Sequence, residues 1–348
     1  MSAPKMTARE WGMLVLLSFL WGGAFFFAAV SLKELTPHGL AFFRVAIAAA
    51  VLGVMVLLLR LPVPRDWASW RGMAVLALFS TALPFSLLYW AQTHIASGLA
   101  AILNAMTPIF TLLVAHVFTR DEKIDGERLA GVAAGIAGVA IIVGPSAFGR
   151  QDGHVLAEIA VLGAGVSYAI ASVFGRRFRG QSPVTLTFAQ MSIGSLYLLP
   201  VMLATGSPLR VPAPGLATNG AVIAATDAPL HIALPSLATV GAVIALGTVS
   251  TALAFVIFFR LLARAGANNA VLVTLLVPVS AILLGVAVLG EALALRQFVG
   301  LALIALGLLI NDGRPLPYLL GSIVRLRQRP DASGRAAPPM LNEPHHSQ

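Results

Sequence analysis

Residues 79–90 read FSTALPFSLLYW and residues 249–260 read VSTALAFVIFFR. Their cores, Ser80-Thr81-Ala82-Leu83-Pro84-Phe85 and Ser250-Thr251-Ala252-Leu253-Ala254-Phe255, agree at five of six positions, 170 residues apart. The echo extends outward. At the same offset Asn104 and Pro108 in NAMTPIF fall on Thr274 and Pro278 in TLLVPVS. One residue is then lost from the second copy, so that Gly131 and Gly138 align with Gly300 and Gly307. Upstream, TPHGLAFFR (36–44) aligns with SPVTLTFAQ (182–190), which places Arg44 on Gln190 and brings Trp21 near Tyr168.

The repeated unit is apolar almost throughout. Of 348 residues, 58% are hydrophobic and 11% charged, and the mean hydropathy is +0.88. Soluble domains carry about 25% charged residues, so this chain has too little polar surface to coat a globule in water. An all-α integral membrane protein follows. The formal charge of +9 sits between apolar runs and in the tail, with no basic patch interleaved with aromatics, so nucleic acid is not an expected partner. Cysteine is absent, which excludes disulfides and thiolate metal sites. The N-terminal run lacks a small-residue cleavage site and reads as an uncleaved first span.

A membrane helix needs roughly 17–25 apolar residues. Ten runs qualify: 12–32, 38–59, 72–92, 97–118, 129–145, 155–174, 183–204, 234–259, 268–289 and 297–311. The expected organisation is therefore a short N-terminus (1–11), a first repeat of five spans (12–145), a second of five (155–311) and a polar tail (312–348) expected to be disordered. The second repeat carries a long Gly/Pro/Ala-rich outer loop at 205–235. With the N-terminus inside, the outer segments hold only Lys33, Arg150, Arg210 and Arg296 of the 23 Lys and Arg, and Arg44 lies within a span. That bias predicts both termini on the cytoplasmic side. Residues 318–329 (YLLGSIVRLRQR) have the composition of a segment that lies on an anionic leaflet. Because five is odd, the two repeats cross in opposite senses. Such inverted repeats enclose mid-membrane sites in many transporters.

Ionisable groups within the spans are few. Arg44 has several readings: snorkelling to the headgroups, pairing with Glu291 at the end of span 9, an outer gate, or a contact for a substrate carboxylate. Gln190, its counterpart, serves either a matching inner gate or a bond to a neighbouring helix. No acidic residue is expected at mid-depth, which argues against proton antiport through a central carboxylate. Polar and aromatic side chains are the candidate cavity lining: Ser18, Trp21, Tyr89, Trp90, Asn104, Thr107, Tyr168 and Thr274. Pro84, Pro108 and Pro278 are expected to kink their helices. Span 8, with Ala254 where span 3 has Pro84, is expected to stay regular. No phosphate-binding loop, metal-ligand cluster or nucleophile–base set is present, so neither a cofactor nor an enzymatic activity is expected.

The run at 245–310, with central Pro278, the Gly290-Glu291 pair and Gly300 and Gly307, resembles the second repeat of EamA-domain transporters of the drug/metabolite transporter superfamily. SFLWGGAFFFA, Phe43-Arg44 and IASGLAAILNAMTPIFTLLVAHVF are similar to the first repeat. One departure is the turn TRDEKIDGER, which is more charged than its counterpart GEALALR. The resemblance implies a ten-span carrier, in bacteria an inner-membrane exporter or importer of amino acids, other metabolites or xenobiotics. The expected function is secondary or facilitated export of small organic solutes, amino acids or related metabolites, by alternating access. A multidrug exporter and a non-transporting membrane interaction protein are the alternatives. The expected partners are a small-molecule substrate and the bilayer, and a homo-oligomer is left open.

Overall fold

A computed structural model describes residues 7–119, 124–149, 154–178, 180–206, 208–209, 235–270 and 272–311. Most of the expected long loop (210–234), residues 120–123 of the acidic turn and the whole tail with its basic segment lie outside the described residues.

Apolar backbone in lipid must satisfy its own hydrogen bonds, and the described chain is helical almost throughout. The helices are α1 (Ala8–Ser31), α2 (Pro37–Leu58), α3 (Trp67–Ala77), α4 (Leu83–Ala91), α5 (Ser97–Asn104), α6 (Thr107–Phe118) and α7 (Gly126–Gly149). Beyond residues 150–153 come α8 (His154–Gly175), α9 (Pro183–Ala204), α10 (Leu237–Gly247), α11 (Ala254–Ala265), α12 (Ala267–Ala270), α13 (Val273–Leu289) and α14 (Leu295–Asn311). Among the described residues, seven continuous helices are long and apolar enough to cross a membrane, and three shorter ones, Arg128–Val143, Val273–Leu289 and Leu295–Asn311, are apolar too.

Local chemistry sets the helix starts. Thr36 accepts the Gly39 amide at 3.2 Å ahead of Pro37, Asp66 accepts that of Ser69 at 2.7 Å, and Ser236 accepts that of Thr239 at 3.2 Å. Each occupies an orphan donor of the first turn. Gly290, at φ 67°, stops α13 in the left-handed region.

The two copies of the echo do not behave as their prolines suggest. Both turn π-helical, over Leu78–Ala82 between α3 and α4 and over Thr248–Leu253 between α10 and α11. Pro84 lies just beyond the first π turn, inside the continuous helix Trp67–Ala91, where its ring removes a backbone donor, and Ser167 of α8 donates its hydroxyl to the Phe79 carbonyl of the preceding turn at 2.7 Å. The second copy is interrupted without any proline, which corrects the expectation of a regular span 8. What the copies share is close packing against a facing helix. A Cβ on Gly247 would lie 2.7 Å from Ile47 Cβ of α2, and one on Gly194 of α9 would lie 2.6 Å from Thr81 Cγ2. Pro108 follows a break at Ala105–Met106 and falls in the first turn of α6, whereas Pro278 lies inside α13.

The helix pairings are reciprocal. α1 packs on α13 and on α10 and α11; α8 packs on α6 and on α4. α2 meets α10 and the second π turn, while α9 meets α3 and the first. α2 packs on α9, and α7 on α14.

At one end of this bundle the Glu34 carboxylate, in the turn after α1, accepts the Ser236 amide at the head of α10 (2.7 Å). The amide and hydroxyl of Ser236 favour the charged form and hold the Glu34 carboxyl below its ordinary value of 4.5. A depressed folded-state value makes this contact fully stabilising above the ordinary value and absent once the pH falls through the folded one. Wild type is therefore expected to lose more thermal stability than Glu34→Gln between about pH 5 and about pH 3, read as unfolding temperature in detergent.

Candidate functional site

Arg44 lies in the second turn of α2, flanked by Phe43 and Val45, and its side chain turns inward: it is 8% exposed. Its Nε donates to Thr251 Oγ1 at 3.0 Å and its Nη1 to the Tyr89 hydroxyl at 2.6 Å. The guanidinium carbon stands 4.1 Å from the centroid of the Phe85 ring. Phe85 stacks on Tyr89 (6.1 Å) and meets Tyr168 of α8 edge-on (6.4 Å). The Thr251 hydroxyl donates its own hydrogen bond to the Leu246 carbonyl at 2.7 Å, so towards Arg44 it acts only as an acceptor. The cluster thus joins α2 and α4 of the first half to α8 and the second π turn in the second.

Snorkelling is ruled out by this burial. The pairing with Glu291 does not form either. The Glu291 carboxylate instead accepts the Ser97 amide (2.8 Å) and the Gly98 amide (3.1 Å), capping α5 from the loop after α13. An anion at a helix N-terminus meets both orphan donors and the positive end of the dipole. Glu291→Ala is expected to lower stability by about 1–2 kcal/mol, measured by thermal unfolding in detergent.

Among the described residues no carboxylate pairs with Arg44. Its partners are neutral hydroxyls and π faces. A guanidinium has five N–H donors and does not deprotonate in proteins, and burying an uncompensated charge costs several kcal/mol. An arrangement of this kind fits an anion that arrives from outside, which can accept the remaining donors as a pair.

The counterpart position is neutral. Gln190 Oε1 accepts from Ser80 Oγ of the first π turn at 2.8 Å, and Ser80 also bonds Thr81 (3.2 Å). A polar side chain from α2 thus reaches the second π turn, and one from α9 reaches the first.

The other candidates divide. Asn104 and Thr107 flank the break between α5 and α6; Thr107 Oγ1 donates to the Asn104 carbonyl (2.7 Å), and Asn104 Oδ1 is buried without a partner. A Cβ on Gly165, one turn before Tyr168, would lie 3.4 Å from Thr107 Oγ1, so Thr107 borders this face of α8. Trp21 packs against Phe258 (5.3 Å) and Phe255 (6.1 Å) of α11. Ser18 serves helix packing instead: its hydroxyl bonds Val15 of its own helix and its carbonyl accepts from Ser280 of α13 at 2.6 Å. Trp90 packs against the tilted His94 ring (4.6 Å), outside the Arg44 cluster. Thr274 is half-buried in the first turn of α13. Thr251, Phe85 and Ser80 were not singled out from the sequence, although the echo contains all three.

These helices, their lipid-type apolar surfaces and a buried cation at the junction of two halves define a multi-pass membrane protein. The model of the EamA-like transporter family matches residues 10–144 and 155–311, and the chain belongs to that family, one of transporters rather than enzymes. An uncharacterized transporter of Archaeoglobus fulgidus is 26% identical over 87% of this chain and 98% of its own length. The probable terminal-alkyne amino-acid exporter of Streptantibioticus cattleyicolor is 27% identical over 90% of this chain and 96% of its own. The uncharacterized inner membrane transporter YedA of Escherichia coli K12 is 27% identical over 86% and 89%. A solved crystal structure at 17% identity shares the fold, with a TM-score of 0.56 over 88% of this chain and 98% of that one.

Proposed function

We propose that the chain is a ten-span secondary or facilitated carrier of the bacterial inner membrane, with both termini cytoplasmic. Its halves, 12–145 and 155–311, act as inverted five-helix repeats. They rock to expose a central site alternately to each side and move small organic carboxylates, amino acids or related metabolites, in the export direction. The reciprocal helix pairings support the repeat: exchanging halves turns α1 on α13 into α8 on α6, and α2 on α10 into α9 on α3. A relative bears the name of an amino-acid exporter, in keeping with the solute class.

The observation that carries the reading is Arg44, buried between the halves, whose partners among the described residues are neutral. The solute carboxylate supplies the missing charge, and its apolar body meets Phe85, Tyr168 and Trp21. The test is uptake of labelled amino acids and hydroxy acids into proteoliposomes. Excess unlabelled carboxylate should compete and the matching carboxamide should not. Flux no greater than in protein-free vesicles would sink the proposal. The aromatic group of Trp21, Phe255 and Phe258 supports the second reading, a multidrug exporter, and flux of uncharged dyes alone would favour it.

A further inference from the structure

We propose that this carrier is an obligatory anion exchanger: it crosses between its two facing states only with a carboxylate on Arg44, so one solute leaves as another enters. The inference rests on the carboxylate reading above and concerns how the empty carrier behaves.

Two hydrogen bonds hold the guanidinium, to Thr251 Oγ1 and the Tyr89 hydroxyl, and Phe85 covers one of its faces. The Thr251 bond runs from α2 to the π turn between α10 and α11, and so between the two halves. If the halves rock, that bond must stretch or break while the cation is still enclosed by apolar side chains. The acid nearest in expectation, Glu291, is committed to the Ser97 and Gly98 amides. Without a ligand, the passage therefore exposes an under-bonded cation to a low-dielectric interior, where its cost is greatest.

A carrier built on a central carboxylate escapes this penalty by taking up a proton and returning neutral. Arginine has no such route, because it does not release its proton in a protein. The counterpart residue, Gln190, is an amide and offers no second charge to share the load. Neutralisation must come from a bound anion. A carboxylate accepts from two guanidinium N–H groups at once and replaces the lost Thr251 bond during the passage. The loaded carrier then crosses readily and the empty one does so slowly, which is the kinetic definition of exchange.

The experiment compares initial uptake of labelled L-leucine, L-phenylalanine and L-lactate into proteoliposomes in sulfate buffer. One set of vesicles contains sulfate alone and the other also the unlabelled form of the same solute. Uptake into the filled vesicles is expected to be faster by about tenfold or more, equivalent to about 1.4 kcal/mol of barrier. In Arg44→Gln the ratio should fall to about one, whatever flux remains, and the wild-type ratio decides the matter should that variant not fold. Equal wild-type rates in the two sets overturn exchange and leave the carboxylate reading standing. Equal stimulation by internal chloride overturns the carboxylate as the obligatory counter-substrate. Flux into sulfate vesicles driven by a pH gradient overturns the inference in favour of proton coupling. No uptake of any probe in either set removes the carboxylate reading, and the inference with it.

Discussion

Arg44→Gln is expected to reduce carboxylate flux by at least about 30-fold while the protein still folds. Removing one partner of a buried, hydrogen-bonded charge pair costs about 2–5 kcal/mol, and each 1.4 kcal/mol is a tenfold change. The fold should tolerate the change because, among the described residues, the lost charge has no counter-ion to be stranded by its removal. A Gln amide can still donate to Thr251 or Tyr89, and Gln190 already makes an equivalent bond to the first π turn. The unfolding temperature in detergent should therefore hold or rise as the flux collapses. Arg44→Lys keeps the charge but loses the planar stack on Phe85 and the paired donors, so an intermediate flux is expected. Flux within threefold of wild type in the Gln variant would remove Arg44 from the site.

The helical class of this protein was legible from hydropathy alone, since lipid leaves an apolar backbone few alternatives to helix. The echo at residues 79–90 and 249–260 coincides with the two π turns, but its proline misled. A π turn is a one-residue excess in the hydrogen-bond register, and here it is accompanied by packing from outside the helix. Gly247 fits against Ile47 and the Arg44 carbonyl, and Gly194 fits against Thr81. No window of sequence around Ala254 contains those partners. The difference between the copies therefore lies in which side chain docks, a cation in one and an amide in the other.

The site was half legible for a related reason. A charge inside an apolar run is conspicuous, so Arg44 stood out at once, whereas its partners are ordinary residues in an apolar bundle. Thr251 lies 207 positions away and Phe85 is one of 18 phenylalanines. Charge complementarity nominated Glu291 as a partner, yet that carboxylate caps α5 instead. Thr107, at the break between α5 and α6, faces Gly165 of α8, one turn before Tyr168, because discontinuous helices bring polar groups to the interior. Ser18 looked equally polar, and its hydroxyl bonds the Val15 carbonyl of its own helix while its backbone carbonyl accepts from Ser280 of α13.

Gly138→Ala and Gly307→Ala are each expected to destabilise the protein by about 1–3 kcal/mol, the cost of overpacking a close contact. In lipid no hydrophobic gain draws helices together, so close approach of small residues has to supply the packing energy. The contact of α7 with α14 is of this kind. A Cβ on Gly138 would lie 2.7 Å from the Gly300 carbonyl oxygen and 3.1 Å from the Ile304 amide nitrogen. One on Gly307 would collide with the Gly131 carbonyl and lie 2.9 Å from the Gly135 nitrogen. These neighbours are backbone atoms, which cannot rotate aside, so the helices must separate along their contact. Gly241 of α10 provides the control, since nothing lies within 4 Å of its added Cβ. There alanine should be neutral or gain up to about 1 kcal/mol from helix propensity. Unfolding temperatures in detergent should thus fall for the first two variants and hold or rise for the third. A uniform fall at all three positions would show that glycine flexibility, rather than close approach of α7 and α14, is what these positions require.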